Sequence, residues 1–265
     1  MASDPIRLFV GADCNNCDLE SQAVLEYSIR KHTTRDVQIT WMQNAEKGPW
    51  SGWQTASART PFSHFRWSIP AVCNYKGRAI YTDSDFVFMA DIGELWDQPI
   101  PAPAAMLVRN PEGKTRTCCV LFDCARCIGH IPTLDALRKN SDVQGRVVAY
   151  LKAHRQLMAP FAGDWNCIDL QGYADMHDPR IKAIHYSRIE HQIGLKHAIP
   201  RLAAEGKKHW YKGVVGPHPR PELQALFDQL LEEATAAGYG IERYRIKSVG
   251  EYAKRDFRYR TSQVV

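Results

Sequence analysis

The chain has 265 residues, 45% of them hydrophobic and 24% charged, with a net charge of +5. That is enough for one sizeable domain with a large core, with or without an appendage, and the mild positive excess is no nucleic-acid signature. No run approaches the length needed to span a bilayer, and the opening residues carry no apolar segment of signal-peptide type, so the cytoplasm is the expected location.

In chain order, residues 7–10 read as a short buried strand ending at Gly11, followed by a polar loop over 12–18. A helix capped near Asp18 is expected next, with Glu20 in its first turn and the apolar pairs Ala23/Tyr27 and Leu25/Ile29 four residues apart. Residues 37–41 alternate as a second strand. Strand, loop, helix, strand is the opening of an α/β fold with a parallel sheet. Ligands of such sheets bind beyond the carboxyl ends of the strands, which sets Asp13 on the same rim as Asp83 and Asp85. Residues 43–61, with Trp50 and Trp53, read as a loop over that rim, and 62–72 as a helix through Phe65, Ile69 and Val72. Further strands are expected at 104–108, 119–122 and 181–184, with helical material over 133–158. Pro217, Pro219 and Pro221 break the chain. Leu223, Leu226, Phe227, Leu230, Leu231 and Ala234 then form a helical stripe that Gly238 stops. The spacing predicts a main domain over 1–205 and a C-terminal helical extension packing on it over 206–265. Lys254, Arg255, Arg258 and Arg260 read as a solvated basic end, with at most a peripheral membrane contact.

The stretch that carries chemistry is Tyr81-Thr82-Asp83-Ser84-Asp85. An isolated Asp-x-Asp is most often a solvated turn, since turns favour Asp and Ser. Here an apolar run precedes it and Phe86-Val87-Phe88-Met89 follows it, which few simple turns show. Two carboxylates at the end of a buried strand suit a hard divalent cation that keeps positions open for phosphate oxygens.

With those residues in place, the chain resembles glycosyltransferases of the GT-A fold, close in pattern to family 8. The likeness rests on Phe9-Val10-Gly11-Ala12-Asp13, on Tyr27 to His32, on Phe65-Arg66 with Ile69-Pro70, on Gly77 to Asp85 continuing through Asp91 to Trp96, and on Ile184-His185-Tyr186. It implies a mixed sheet flanked by helices, with a C-terminal helical appendage. It also implies transfer of a sugar from a UDP-sugar, with retention, to a glycan, lipid-linked, protein or small-molecule acceptor. Asp83, Asp85 and His185 would hold Mn2+ or Mg2+. Asp13 would meet the uracil edge and Asn15 the ribose, with Val10, Gly11, Ala12, Arg66 and Ser84 completing the donor site.

Three departures from the family pattern stand out. Its His-x-x-Gly-x-x-Lys motif appears as His185 to His191, with Arg188 for the glycine and His191 for the phosphate-binding lysine. Arg188, His191 and Lys196 are the candidates for the missing charge. The Asn-x-Gly before the central strand is not seen near Thr117-Cys118-Cys119-Val120, and the usual Asp-Gln pair has no match over 140–165. Asp142, Asp164 and Asp169 are the carboxylates from which a nucleophile would be drawn, and Asp164-Trp165-Asn166 is expected near the site.

Of the eight cysteines, Cys14/Cys17 and Cys124/Cys127 form two CxxC pairs. Their separation of about 100 residues far exceeds the roughly 15–20 of a zinc ribbon, which favours ordinary reduced thiols over a zinc site. Two other functions share the cation logic: a nucleotidyltransferase and a non-catalytic nucleotide-sugar binding protein. The loop after Gly11 lacks the glycines and lysine of a triphosphate-binding loop.

Overall fold

The computed structural model describes residues 4–53, 60–110 and 112–248. The basic cluster from Lys254 to Arg260 lies outside the described residues. The chain opens with β1 (Ile6–Gly11), α1 (Leu19–His32) and β2 (Val37–Met42). A 3-10 turn (Phe65–Ser68) runs into α2 (Ile69–Val72), then β3 (Arg78–Asp83), β4 (Phe86–Phe88) and α3 (Ile92–Trp96). Next come β5 (Met106–Arg109), β6 (Arg116–Asp123), α4 (Leu134–Lys139), α5 (Ser141–Ala153), β7 (Met158–Pro160) and β8 (Cys167–Ile168). The chain continues through β9 (Ala183–His185), α6 (Ile193–Ala204) and α7 (Pro221–Ala236).

The main sheet has the order β2-β1-β3-β6-β5-β7, and a smaller one the order β4-β9-β8. β1 runs parallel to β2 and β3, as the opening pattern predicts. β6 is antiparallel to both β3 and β5, so the whole sheet is mixed. The loop from Arg109 to Arg116 is too short for a crossover, and two strands joined that closely must pair antiparallel.

Both faces of the main sheet are covered. Ile6, Leu8 and Val10 point to one side, against Leu25 and Ile29 of α1. Phe9 and Tyr81 point to the other, among Trp50, Trp53, Phe65 and Trp67. Trp50 and Trp53 are 5% and 3% exposed, so the segment after β2 is pinned into the core by its tryptophans. The expected helix over 62–72 is a 3-10 turn and a single helical turn, because Pro70 has no N–H to continue a helix and sits at the start of a new one. The strand expected at 181–184 begins two residues later; Ile181 makes only an isolated bridge to Asp164.

The C-terminal stripe forms α7, with Pro221 in its first turn and Gly238 at φ +86° just past its end. Its Leu223, Phe227 and Leu230 share a core with Val24 of α1, Val87 of β4 and Ile184 of β9.

Gly11 lies where backbone and rings crowd. A Cβ there would meet Tyr81 Oη at 2.8 Å and Phe62 Cδ2 at 2.9 Å. Both rings are buried, so Gly11→Ala is expected to destabilise the protein by about 1–3 kcal/mol, the usual cost of overpacking. Urea unfolding checks this, and a midpoint equal to that of the parent chain would contradict it.

Candidate active site

The two sheets meet at Asp83-Ser84-Asp85. Asp83 is the last residue of β3, paired with Gly11, and β4 begins at Phe86 in the other sheet. The chain changes sheet within the motif, which turns its polar atoms into a cleft. β9 lies antiparallel to β4 and sets His185 opposite Phe86. The imidazole stacks on the Phe86 ring, with centroids 4.3 Å apart and planes inclined by 13°.

His185 is 2% exposed, and its Nδ1 lies 2.8 Å from Asn166 Oδ1. An amide oxygen only accepts, so Nδ1 carries the proton and, in the neutral ring, Nε2 presents its lone pair. That lone pair faces Asp85 Oδ1 at 3.4 Å. Asp85 Oδ1 is buried without a hydrogen-bond partner. Burial pushes the Asp85 carboxyl above its ordinary range, against the opposing pull of His185. Two lone-pair donors facing each other in a buried place fit a cation between them, and the carboxylate–imidazole set suits a first-row divalent ion. Gln192 Nε2 donates to the other oxygen, Asp85 Oδ2, and to the Tyr186 carbonyl at 3.0 Å.

Asp83 is held differently. Its Oδ1 accepts from Arg66 Nη2 at 3.0 Å and from the Tyr81 hydroxyl. Arg66 is 6% exposed and lies over the Tyr81 ring at 4.5 Å. Its Nε donates to the Ser63 carbonyl at 2.7 Å and its Nη1 to the Thr117 carbonyl. The guanidinium expected on the donor thus clamps Asp83 and ties it to β6. Next to Thr117, the Cys118 thiol lies against Asp83; the ligand atoms of Asp83, Cys118 and His185 all fall within 4.8 Å of one another. Burial, reinforced by Asp83, pushes this thiol up to about 12. Among the described residues no comparable group contains the two CxxC pairs.

At the end of β1 Val10 and Gly11 are buried, and in the loop after it Ala12 and Asp13 are buried and Asn15 is half-buried. Asp13 Oδ1 accepts the Asn15 N–H at 2.6 Å and the Cys17 N–H at 3.2 Å, a side-chain turn that shapes the loop. Asp18 Oδ2 accepts from the Asp13 N–H and from Ser84 Oγ, each at 3.0 Å. Asp18 therefore joins the loop to the Asp83-Ser84-Asp85 corner instead of capping α1 with its side chain. Burial, followed by the neighbouring Asp13, pushes its carboxyl well above the ordinary range.

Asp18, Arg66, Asp83, Asp85, Cys118 and His185 line a solvent-open cleft, whereas Val10, Gly11, Ala12, Asp13 and Asn15 are not among its lining residues. Gln192, His209, Trp210 and Arg116 also reach it, and composition or spacing marked none of them. The sole signal for His209-Trp210 is a ring pair soon after Gly206, where α6 has ended. Burial holds the His209 ring down to about 4, so it is neutral at pH 7.

The three basic candidates lie elsewhere. Arg188 is 61% exposed and 3.9 Å from Asp169. His191 Nδ1 is 2.9 Å from the Pro217 carbonyl, and Lys196 donates to Gln224 Oε1 at 3.2 Å, on α7. None lines the cleft. Asp142 is exposed on α5, Asp164 pairs with Arg109 at 3.4 Å, and Asp169 lies between Arg188 and His218. The Asp164 segment does reach the site, through Asn166.

No protein-family model matches the chain. Protein CDI of Arabidopsis thaliana is 27% identical over 206 residues, covering 69% of this chain and 78% of CDI. Among solved structures, the glycosyltransferase GlyE of Streptococcus pneumoniae TIGR4 aligns over 94% of this chain with a TM-score of 0.52 and 11% identity. LgtC, a galactosyltransferase solved with donor and acceptor sugar analogs, aligns over 86% of this chain and 96% of its own, with a TM-score of 0.51 and 10% identity. The fold is that of the GT-A glycosyltransferases. The chain spans just under two thirds of the GlyE chain, at 66%, and 47% of the WbbM bifunctional glycosyltransferase. Among the described residues no helix is long and apolar enough to cross a membrane.

Proposed function

We propose that this protein is a metal-dependent glycosyltransferase, family 8-like, that transfers a sugar from a UDP-sugar to an acceptor hydroxyl with retention of configuration. The observation that carries the reading is the apposition of Asp85 Oδ1 and His185 Nε2, two lone-pair donors 3.4 Å apart, in the cleft of a GT-A fold. Asp83, Asp85 and His185 would hold Mn2+ or Mg2+, and the bound cation would neutralise charge on the leaving diphosphate. Asn166 fixes the His185 tautomer, and Gln192 fixes Asp85. Val10, Gly11, Ala12, Asp13 and Asn15 are the proposed nucleotide contacts, the Asp13 carboxylate acting through the shape it gives the loop. Ser84 orders the motif against Asp18. Arg116, on the cleft wall, is the proposed phosphate-binding charge, ahead of Arg188, His191 and Lys196, which do not line the cleft.

Retention is proposed to proceed by front-face attack. A double displacement needs a nucleophile on the face opposite the leaving group. The pairing of Asp164 and Asp169 with basic partners, and the exposure of Asp142, favour a route that relies on positioning and electrostatics.

Isothermal calorimetry of UDP with manganese and then with chelator tests the cation. Tighter binding with manganese is expected, and equal affinities would remove the reading. Proton NMR of the first product from an α-linked donor tests the stereochemistry. An α-linked product is expected; a β-linked one would overturn both retention and front-face attack.

A further inference from the structure

We infer that Cys118 is a ligand of the cation at the Asp83-Ser84-Asp85 corner, and that it biases the site toward thiophilic divalent ions such as Zn2+ and Co2+ over Mg2+. The inference deepens the proposed cation site and rests on that reading.

Strand register places the thiol there. β3 and β6 pair antiparallel with Thr82 opposite Cys119. One step further, Cys118 comes beside Asp83. Side chains alternate along a strand, so adjacent cysteines face opposite ways. Cys119 is fully buried in the core that holds Ile80, while its neighbour Val120 packs with Tyr81 on the other side. By the same alternation Cys118 falls on the side of Tyr81 and Asp83 and lines the cleft, while also touching the edge of the Ile80 core. Its sulfur, an Asp83 oxygen and a His185 nitrogen fall within 4.8 Å of one another, a span that one ion can bridge after small side-chain movements.

A second observation points independently to a ligand at the same place. His185 is 2% exposed, Asn166 holds its Nδ1, and its Nε2 is aimed into the site beside the partnerless Asp85 Oδ1. A carboxylate, an imidazole and a thiol together form the mixed O, N, S set that zinc and cobalt favour, whereas magnesium takes oxygen and water. On ligation the thiol proton leaves to solvent and the thiolate lone pair forms the metal–sulfur bond.

A functional consequence follows. Asp85 lies outside that three-ligand group but faces His185 Nε2 at 3.4 Å; drawn in as a fourth ligand, it would close a tetrahedral zinc site and leave no position for a diphosphate. An octahedral ion held by the oxygen and nitrogen ligands keeps such positions open. Zinc is therefore expected to occupy the site and to oppose UDP binding, where manganese supports it.

The test is a Co2+ titration of the full, chelator-stripped chain, read by absorbance and calorimetry. The wild-type protein is expected to develop a near-ultraviolet thiolate-to-cobalt charge-transfer band that Zn2+ abolishes and Mg2+ does not. Cys118→Ser is expected to lose the band and to weaken Co2+ binding at least about tenfold, the scale on which even outer-shell partners act. Far-UV circular dichroism verifies that the variant is folded, and the wild-type spectrum is decisive without it. Calorimetric cobalt binding with no charge-transfer band, or a band that survives in Cys118→Ser, overturns the cysteine ligand and leaves the cation site standing. Absence of cobalt, zinc and manganese binding, with and without UDP, overturns both.

Discussion

Asp85→Ala is expected to abolish the strengthening of UDP binding by manganese and to cut turnover by about a thousandfold. A bound cation stabilises a phosphate-leaving transition state by several kcal/mol, and each ~1.4 kcal/mol is tenfold in rate. The variant should nevertheless fold. Burial raises the Asp85 carboxyl above its unfolded value, so at neutral pH its ionised form opposes folding. Removing it relieves that cost, and the melting temperature without metal is expected to stay level or rise. The parent chain is expected to gain stability when manganese and UDP are added together, as ligands of the native state must confer; the variant should not. Thermal shift and single-turnover assays read the two halves of the prediction. Undiminished turnover, or an unchanged manganese effect, would exclude Asp85 as a cation ligand.

Arg66→Leu is expected to be among the most destabilising single changes in the cleft, at about 3–5 kcal/mol, the usual cost of stripping one partner from a buried ion pair. Arg66 is 6% exposed, and Nε, Nη1 and Nη2 each donate to a different place: Ser63, Thr117 and Asp83. Without it the half-buried Asp83 carboxylate keeps the Tyr81 hydroxyl but loses its countercharge. Arg66→Lys should recover only part, since one ammonium cannot span three directions. Asp83→Asn should cost less in the Arg66→Leu background than alone, the signature of coupled neighbours. Urea unfolding of the singles and the double measures this. Additive effects, or a loss below about 1 kcal/mol, would show that the pair is not coupled.

The Asp-Ser-Asp motif was legible because carboxylates seldom follow an apolar run and precede another, and His185 because it closes a strand. Arg66 was found for its place in a pattern, but its partner was not: whether a guanidinium meets a substrate or a neighbouring carboxylate depends on the strand beside it. Arg188, His191 and Lys196 came from the family motif that the resemblance implies, and a motif's place along the chain says nothing about which side of a segment faces the cleft. The turn of Ile189 to His191 and the start of α6 bring Gln192 inward and leave Arg188, His191 and Lys196 on Asp169, Pro217 and Gln224.

By itself the sequence determined the α/β class, the first parallel strands, the amphipathic C-terminal helix and the carboxylate pair at a strand end, because each follows from local periodicity and residue chemistry. The tertiary structure alone decided that β3 and β4 belong to different sheets, that β6 enters antiparallel with Cys118 beside Asp83, that Asn166 selects the His185 tautomer and that Arg66 is spent on Asp83. Those are matters of register between segments far apart in the chain, and register depends on which faces bury together, a choice that the packing of the whole core makes.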